Sequence, residues 1–477
     1  MLTIGDHVRV GGRIARRPFL RIGAAGFGGA VAGLADLLGG RATGEVAAAP
    51  HGGSLPPFLR DRSVIFLFMH GGPSQFETFD PKGDGPPHAR SATGEVASSI
   101  PGVSFGGTFP QLAARTHLLS IVRSFVTGDG QHDIKPVVGK ASGGASLGSI
   151  YARVAGPLRP GTAMPTNVLL VPQAVRDDAG PPIVQFGDFR ATGDNGPASA
   201  PIVPGGDQAG LLDDMRLQIP QHRLADRRAL LAAIDDGRRW LDLAAIRGAS
   251  DEQHRAFDLL MRGVSDAFDL DHEDPRLVDR YDTASRFRTD TIDTRWNNHR
   301  HYADHGRSIG RLLLLARRLC ERGAGFVTVT TSFVWDMHAD VNNATMVEGM
   351  GYVGAPFDHA VASLIDDIES RGLRDKILLV CCGEMGRTPV INPRGGRDHW
   401  GGLAPLILYG GGFEGGRVIG RSSRDGGQPA SDPITIPDLV ATIAETVFDP
   451  AEVRLLEGLP RSLLATLAAG RPIPRTG

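Results

Sequence analysis

The 477-residue sequence predicts an α/β fold in which a mostly parallel sheet lies between helical layers. Short runs rich in β-branched and aliphatic residues recur along the chain, and they are apolar throughout instead of alternating. Continuous apolarity is typical of strands that are covered on both faces. Helical segments separate several of these runs, and strand, helix, strand in that order is a βαβ unit.

The strands and helices are predicted from these patterns in chain order. Five apolar runs are predicted to be strands: 63–69, 167–171, 326–331, 376–382 and 405–409. A further strand-like run, 118–123, precedes a polar loop. The segment 309–320 (IGRLLLLARRLC) reads as a buried helix. A second helix is predicted from apolar residues at helical spacing between 357 and 368, and Arg371-Gly372 is expected to end it.

The middle and the beginning of the chain differ from this pattern. Residues 211–304 are charged and rich in helical periodicity, so we expect a helical insertion lying over the sheet. Residues 1–50 are predicted to be a twin-arginine export signal, with Arg16-Arg17 followed by a mildly apolar stretch, 22–40. Asp36 interrupts that stretch, which disfavours a stable membrane anchor. We therefore expect one domain, 51–477, in the periplasm or outside the cell.

Composition narrows the class of partner. Lys and Arg total 51 against 53 for Asp and Glu, so the chain lacks the net positive charge that is typical of nucleic-acid-binding proteins. A small molecule is therefore the expected partner. The oligomeric state is open.

Only three cysteines occur, Cys320, Cys381 and Cys382, so no disulfide framework is implied. They are expected to be core residues.

Groups that could bind a metal ion follow three of the predicted strands. His70 follows the first, Asp336 and His338 follow 326–331, and Glu384, with Asp398 and His399 further on, follows 376–382. In a parallel sheet these groups would meet beyond the carboxyl ends of the strands. Taken singly, each also fits a structural histidine, a capping carboxylate or a solvated loop. Nitrogen and oxygen donors without a thiolate favour Zn²⁺ or Mn²⁺, whereas Ca²⁺ or Mg²⁺ would need a site dominated by carboxylates.

Two further features complete the candidate site. Arg387 lies close to Glu384 in the sequence, and a guanidinium there would suit an anionic ligand. The loop TGDGQHD places Thr127, His132 and Asp133 together, as a nucleophile site or another metal ligand would require. A turn built from Gly-Asp-Gly is the alternative interpretation of this loop.

The order of the motifs resembles that of a known bacterial family. The segments MHGGPSQFETFDPK, TGDGQHD, ARRLCERGAGFVTVTTSFVWDMH and GEMGRTPVINPRGGRDHWGG resemble domain-of-unknown-function family 1501, over roughly residues 60 to 449. That family looks like a branch of the alkaline phosphatase and sulfatase superfamily. The resemblance implies a doubly wound α/β domain that binds one or two divalent cations, Zn²⁺ first, and acts on phosphate or sulfate esters.

The resemblance also assigns expected roles to individual residues. The implied metal ligands are His70, Asp336, His338, Glu384, Asp398 and His399, and Arg387 would clamp the anion. The position of the nucleophile falls near His132-Asp133, where no hydroxyl stands, and Thr127 is the nearest alternative.

The sequence also departs from the sulfatase pattern, because the sulfatase motif Cys-x-Pro-x-Arg is absent. Attack by a metal-bound water is therefore the expected chemistry. The expected function is an exported metal-dependent hydrolase acting on a small anionic ester or a sulfated or phosphorylated polymer. The alternative is a non-catalytic exported binding protein that keeps the fold, and with it a structural metal.

Overall fold

The computed structural model describes residues 55–206 and 264–476, together with the backbone of two N-terminal strands, β1 (Leu2–Val10) and β2 (Arg13–Ile22). These two strands pair antiparallel with each other. Arg16 and Arg17 of the expected export signal lie on β2, whereas most of the apolar stretch predicted after them lies outside the described residues.

A seven-stranded sheet forms the centre of the described structure. Its strands are β3 (Ser63–Phe68), β6 (Leu119–Val122), β8 (Asn167–Leu170), β9 (Phe326–Thr330), β10 (Ile377–Cys382), β13 (Leu406–Gly410) and β14 (Arg417–Ile419). Their order across the sheet is β14, β6, β13, β10, β3, β9, β8. Within this sheet, β13 alone runs antiparallel to its neighbours. The predicted, mostly parallel α/β architecture is confirmed.

The five predicted strands agree with β3, β8, β9, β10 and β13 to within one residue at either end. The sixth strand-like run, 118–123, contains β6. Every residue of these six strands is buried. Burial on both faces is the reason that their sequences lack alternation.

Helices cover both faces of the sheet. The described α-helices are α1 (Pro110–Ala114), α2 (Leu147–Ala155), α3 (Pro275–Tyr281), α4 (His299–Arg322), α5 (Met346–Ser370), α6 (Ile436–Val447), α7 (Pro450–Val453) and α8 (Arg461–Leu467). Ile65 and Leu67 of β3 share one apolar core with α4 and α5. Val64 and Phe66, which point the opposite way, share the other core with α2 and α6. The two predicted helices lie inside α4 and α5.

Short strand pairs lie outside the central sheet. Three such pairs are described: β4 (Glu95–Ala97) with β5 (Ser104–Gly106), β7 (Phe125–Val126) with β15 (Ile434–Thr435), and β11 (Gly386–Ile391) with β12 (Arg397–Trp400). The hairpin of β11 and β12 follows β10 directly, at its carboxyl end. It carries Arg387, Asp398 and His399, which the sequence analysis named as candidate site residues.

The predicted helical insertion, 211–304, is described only in its last part. Residues 264–304 contain α3, short 3₁₀ turns and the first residues of α4, whereas residues 207–263 lie outside the described chain. None of the described helices combines the length and the apolar composition that a bilayer crossing requires.

A buried network of ionic side chains attaches this last part to the two long helices. Arg317 of α4 has no exposed side-chain surface and contacts Glu273 at 3.0 Å and Asp367 of α5 at 2.7 Å. Asp367 also accepts hydrogen bonds from Arg371 at 2.7 Å and from the Tyr281 hydroxyl at 3.0 Å. The segment before α4 is therefore held by ion pairs to the fully buried Arg317 guanidinium.

Replacing Asp367 by Ala should lower the free energy of unfolding by about 3 to 5 kcal/mol, because it leaves the buried Arg317 guanidinium with an incomplete set of partners. Urea denaturation followed by circular dichroism measures the change. Asp290→Ala is the matched control, since Asp290 pairs with Arg288 on the surface. Equal unfolding midpoints for the two variants would contradict a stabilising role for the network.

Candidate metal centre

The candidate site lies beyond the carboxyl ends of parallel strands. Because β3, β6, β9 and β10 run in the same direction, the segments that follow them emerge at one edge of the sheet. His70 follows β3, His132 lies in the loop after β6 and β7, Asp336 and His338 follow β9, and Glu384 follows β10. This edge is the usual ligand-binding edge of an open α/β sheet.

His399 reaches the same edge by a different route. It lies on β12, directly opposite Arg387 in the antiparallel pair of β11 and β12. The hairpin folds the chain back after β10, so a residue fifteen positions after Glu384 returns to the site. Sequence spacing alone does not show this return.

Gly71 allows two of these loops to approach closely. Its φ is +117°, and a Cβ built on it would lie 2.7 Å from the backbone nitrogens of Trp335 and Asp336. A side chain would therefore push the two loops apart, and only glycine readily adopts this backbone conformation. The Gly71 N–H also donates to Glu384 Oε1 at 2.9 Å.

Four side chains form the centre of the site, which we call the His/Asp cluster: His132, Asp336, His338 and His399. Each offers a ligating atom, and these atoms all lie within 4.8 Å of one another. Asp336 Oδ1 lies 3.0 Å from His338 Nε2 and 3.5 Å from both His132 Nε2 and His399 Nε2. Ligands of tetrahedral Zn²⁺ at bond lengths near 2.05 Å are about 3.3 Å apart. The cluster therefore has the dimensions of a site for one divalent cation.

Two of the imidazoles are turned toward the cluster by carboxylates. His132 Nδ1 lies 3.0 Å from Glu384 Oε1, and His338 Nδ1 lies 3.3 Å from Asp398 Oδ1. An ionised carboxylate can only accept a hydrogen bond, so Nδ1 carries the proton and Nε2 presents its lone pair to the cluster. This pairing of a carboxylate with a histidine is the usual support of metal-binding imidazoles.

The nitrogen atoms inside the cluster have the contacts of metal ligands. His132 Nε2 is buried and has no hydrogen-bond partner among the described residues. His338 Nε2 and His399 Nε2 are 2.7 Å apart, so without a cation between them one nitrogen must carry a proton. A buried orphan nitrogen and two converging lone pairs are both satisfied by a shared cation. On this observation the donor set fits a divalent metal ion.

Asp336 is held as a carboxylate by its surroundings. Burial acts to raise its pKa, but the Arg387 guanidinium and the nearby imidazoles of the three histidines of the cluster lower the pKa well below its usual range. Arg387 Nη2 donates to Oδ1 at 2.7 Å, and Asn343 Nδ2 donates to Oδ2 at 3.1 Å. Both oxygens are thereby fixed in position, with a negative charge at the centre of the cluster.

Three histidines near this charge differ in basicity. Burial acts to lower the pKa of His132, yet the adjacent carboxylates of Asp336 and Glu384 outweigh burial and raise it. The pKa of His399 is lowered, first by burial and then by the nearby charge of Arg387, against the opposing effect of Asp336. For His70, burial lowers the pKa to about 4. His70 is therefore neutral at physiological pH.

Arg387 does not have the contacts expected of an anion clamp. Its side chain is fully buried, and its N–H groups point to protein acceptors: the Gly72 carbonyl at 2.6 Å, the Gly71, Trp335 and Arg397 carbonyls, His338, and the carboxylate of Asp336. Four of its five N–H groups are used by carbonyl and carboxylate oxygens, and the fifth, on Nη1, faces His338 Nε2. In this structure Arg387 therefore contacts Asp336 and backbone carbonyls, and its expected role as an anion clamp stays a prediction.

The structure redistributes the other expected roles. Glu384 and Asp398, expected as metal ligands, contact the outward Nδ1 atoms of His132 and His338 and lie outside the four-residue set. His132, expected near the nucleophile, joins the His/Asp cluster. Asp336, His338 and His399 are brought together as the expected ligand set requires.

The structure does not bring two of the other candidates into the cluster. Asp133 is 53% exposed at its side chain and pairs with Lys135 at 2.7 Å, away from the four ligating groups. Thr127 Oγ1 is buried and has no hydrogen-bond partner in the described chain. Neither of them has a contact with the four histidine and aspartate side chains that would support a role as nucleophile or base.

His70 lies beside the cluster but not in it. Its ring contacts four phenylalanines, Phe68, Phe186, Phe189 and Phe333, at centroid distances of 5.0 to 5.8 Å. Its Nε2 is buried without a partner among the described residues. The expected role of His70 as a ligand is therefore not part of the four-residue set.

Sequence reasoning missed two asparagines and two phenylalanines at this site. Asn343 holds Asp336, and Asn392 Nδ2 donates to the His338 carbonyl at 3.0 Å and to Asp398 at 3.2 Å. Phe186 and Phe333 cover His132, with ring centroids at 5.2 and 4.7 Å. Phe333 stands three residues before Asp336, which was a usable signal, whereas no sequence pattern marks Phe186.

The chain belongs to a protein family without an assigned function. Residues 61–453 match the model of the family described as "Protein of unknown function (DUF1501)". This family is the one that the motifs resemble. The curated proteins contain no match to this sequence.

Several solved structures are remotely similar to this chain. A sulfatase, PsFucS1 from Pseudoalteromonas sp., matches 81% of this chain and 68% of its own at 11% identity and a TM-score of 0.36. The phosphonate monoester hydrolase SpPMH from Silicibacter pomeroyi matches 86% and 76% at 10% identity and 0.36. The zinc complex of the C-terminal periplasmic domain of EcEptC from Escherichia coli matches 75% and 77% at 10% identity and 0.32. Scores of this size do not establish a common fold, so the architecture stands on this chain's own strand order.

Changing Glu384 to Gln should weaken Zn²⁺ affinity by about 10- to 100-fold, because it removes the charge that polarises His132 while keeping an oxygen at the same place. Competition with a chromogenic chelator measures the affinity. Asp133→Asn removes an exposed carboxylate outside the cluster and should leave it unchanged. Equal affinities for the two variants would contradict the supporting role of Glu384.

Full-length protein loaded with Zn²⁺ and dialysed should contain one equivalent of metal, and His70→Gln should contain the same amount, since His70 lies outside the ligating set. Elemental analysis gives the ratio. Two equivalents in the wild type and one in the variant would show that His70 belongs to a second site.

Proposed function

We propose that this chain is an exported, metal-dependent hydrolase of phosphate or sulfate esters. The observation that carries the proposal is the convergence of three imidazole nitrogens and one carboxylate oxygen at the carboxyl edge of a parallel sheet. The motif resemblance to the alkaline phosphatase and sulfatase superfamily supports the same class of reaction. The Arg16-Arg17 motif supports export by the twin-arginine pathway.

The donor set favours particular ions. Three imidazoles and one carboxylate without a thiolate suit Zn²⁺ first and Mn²⁺ second, whereas Ca²⁺ and Mg²⁺ prefer sites made mostly of oxygen. A divalent cation bound there would lower the pKa of a water molecule and neutralise charge that develops on the ester. His132, Asp336, His338 and His399 are the residues that would hold it.

The chain's own groups set the geometry and charge of the site. Arg387 and Asn343 fix Asp336, and the carboxylates of Glu384 and Asp398 fix two imidazole rings. Rotation of the ligands is thereby restricted before any ion or substrate binds, which reduces the entropic cost of assembling the site. Glu384 is fully buried, whereas the Asp398 side chain is 58% exposed, so the site is closed on the Glu384 side and open to solvent on the Asp398 side.

The surroundings of the cluster favour water over a side chain as the nucleophile. Thr127, the hydroxyl nearest the expected nucleophile position, has a buried Oγ1 with no hydrogen-bond partner in the described chain, so no base contacts it. The three cysteines are buried, and burial raises the pKa of Cys320 to about 12, so a reactive thiolate is not available. A covalent phospho- or sulfo-enzyme is therefore not part of the proposal.

A second candidate function is binding without catalysis. The observation that favours it is the complete use of the Arg387 N–H groups by protein acceptors, which leaves the substrate anion without that contact. Under this alternative the cluster holds a structural ion and the chain binds a sulfated or phosphorylated polymer. Turnover by metal-loaded protein separates the two functions.

The double variant Asp336→Asn with His399→Ala should lose the bound metal, because two of the four ligands are altered. Its hydrolytic rate should fall by more than about 100-fold. The rates are measured with 4-nitrophenyl phosphate, 4-nitrophenyl sulfate and bis(4-nitrophenyl) phosphate. Asparagine keeps an oxygen for Arg387, so the buried guanidinium is not left alone. Asp133→Asn serves as the control with wild-type rates.

Removal of metal by a chelator should abolish turnover in the wild type, and added Zn²⁺ should restore it. Wild-type rates in the double variant would refute the hydrolase assignment. An inactive wild type that still contains one tightly held ion would favour the binding function.

A further inference from the structure

A pair of phenylalanines forms one side of the candidate site. Phe186 and Phe333 stack with ring centroids 4.7 Å apart and an interplanar angle of 28°, and we call them the phenylalanine pair. Both rings contact His132, at 5.2 and 4.7 Å. An apolar aromatic surface therefore directly adjoins the ligating atoms.

The outer ring of the pair is accessible. Phe333 is buried, with 7% of its surface exposed, whereas Phe186 is only partly buried. Val184, two residues earlier in the same loop, is 53% exposed. The apolar surface thus continues from the side of the cluster toward solvent, where a bound molecule could cover it.

The loop that carries Phe186 is packed against the loop that carries His132. Gly187 has a φ of +143°, and a Cβ built on it would lie 2.6 Å from Ile134 Cγ1. This close approach fixes the segment after Phe186 on the segment after His132. The ring is therefore placed beside the cluster by backbone packing, and it does not depend on a ligand for its position.

Buried cations next to the cluster are already paired. Arg387 contacts Asp336 at 2.7 Å, Arg397 contacts Glu77 at 3.0 Å, and Lys135 contacts Asp133 at 2.7 Å. Lys135 also contacts Asp129 at 2.6 Å. These groups offer no unpaired positive charge to a ligand with several negative charges. A substrate with one negative charge matches such a site better than a polyanion or a dianion.

We propose that the phenylalanine pair binds the flat ring of an aryl ester that carries a single negative charge, either an aryl sulfate or an aryl phosphodiester. This inference rests on the proposed hydrolase function and names its substrate class. In the reaction, water oxygen forms a bond to sulfur or phosphorus, and the bond to the aryl oxygen breaks. The aryl oxygen leaves as a phenol with one proton of the water, and the other proton goes to solvent.

Binding tests the ring contact without turnover. The probes are benzenesulfonate and methanesulfonate, which share one negative charge and differ in the ring, and they are titrated calorimetrically into Zn²⁺-loaded full-length protein. The wild type should bind benzenesulfonate at least about tenfold more tightly, a size typical of aromatic stacking with burial. Phe186→Ala should erase this preference, whereas Phe186→Tyr should keep it.

Leu455→Ala is the control, because it truncates an exposed apolar side chain that follows α7 and lies outside the loop of Phe186. Metal content is measured for every variant. If Phe186→Ala keeps its metal and keeps the tenfold preference, the phenylalanine pair does not bind the ring. If Phe186→Ala loses metal while Phe186→Leu keeps both metal and the preference, the pair only shields His132, and the inference is again wrong.

Turnover tests the charge of the substrate and separates this inference from the proposed function. 4-Nitrophenyl sulfate or bis(4-nitrophenyl) phosphate should be cleaved at least about tenfold more efficiently than 4-nitrophenyl phosphate, which is a dianion above neutral pH, and Phe186→Ala should raise KM for the preferred ester. Faster cleavage of the dianion would overturn the charge assignment. A wild type that cleaves none of the three esters but shows the ring preference in binding would refute the hydrolase and support the aryl site.

Discussion

One carboxylate oxygen organises the candidate site. Asp336 Oδ1 accepts from the buried Arg387 guanidinium and lies within 3.5 Å of nitrogen atoms from three histidines. A buried carboxylate without compensation would be protonated, and a buried guanidinium without compensation would destabilise the fold. Each charge therefore offsets the cost of burying the other. The histidines of the cluster then lie around a carboxylate whose position and charge are fixed. The rest of the site is arranged around this pair.

The sheet supplies the second constraint. Parallel β3, β9 and β10 deliver three loops to one edge, and close packing at Gly71 brings the first two within van der Waals distance. The carboxylates of Glu384 and Asp398 then select which imidazole nitrogen faces inward. The candidate cation site consists of polar groups whose positions are set by strand direction, and the phenylalanine pair lies beside it.

Much of this could be predicted from the sequence. The apolar runs located six strands of the central sheet, because burial on both faces leaves an unbroken apolar signature. Residues that follow strand ends, such as Asp336 and His338, could be placed at the site because parallel strands end at one edge. The functions of the single groups could not be predicted, since a ligand and the residue that supports a ligand have the same chemical type.

The sequence by itself determined the fold class, six of the seven strands of the central sheet, the chemistry of the donors and the family of the chain. Only the tertiary structure decided that His132 belongs to the cluster. It also decided that Glu384 and Asp398 contact the outward nitrogens of His132 and His338, and that Arg387 pairs with Asp336. The physical reason is distance along the chain. Strand patterns are local, whereas the orientation of an imidazole and the partner of a guanidinium depend on groups that lie tens to hundreds of residues away.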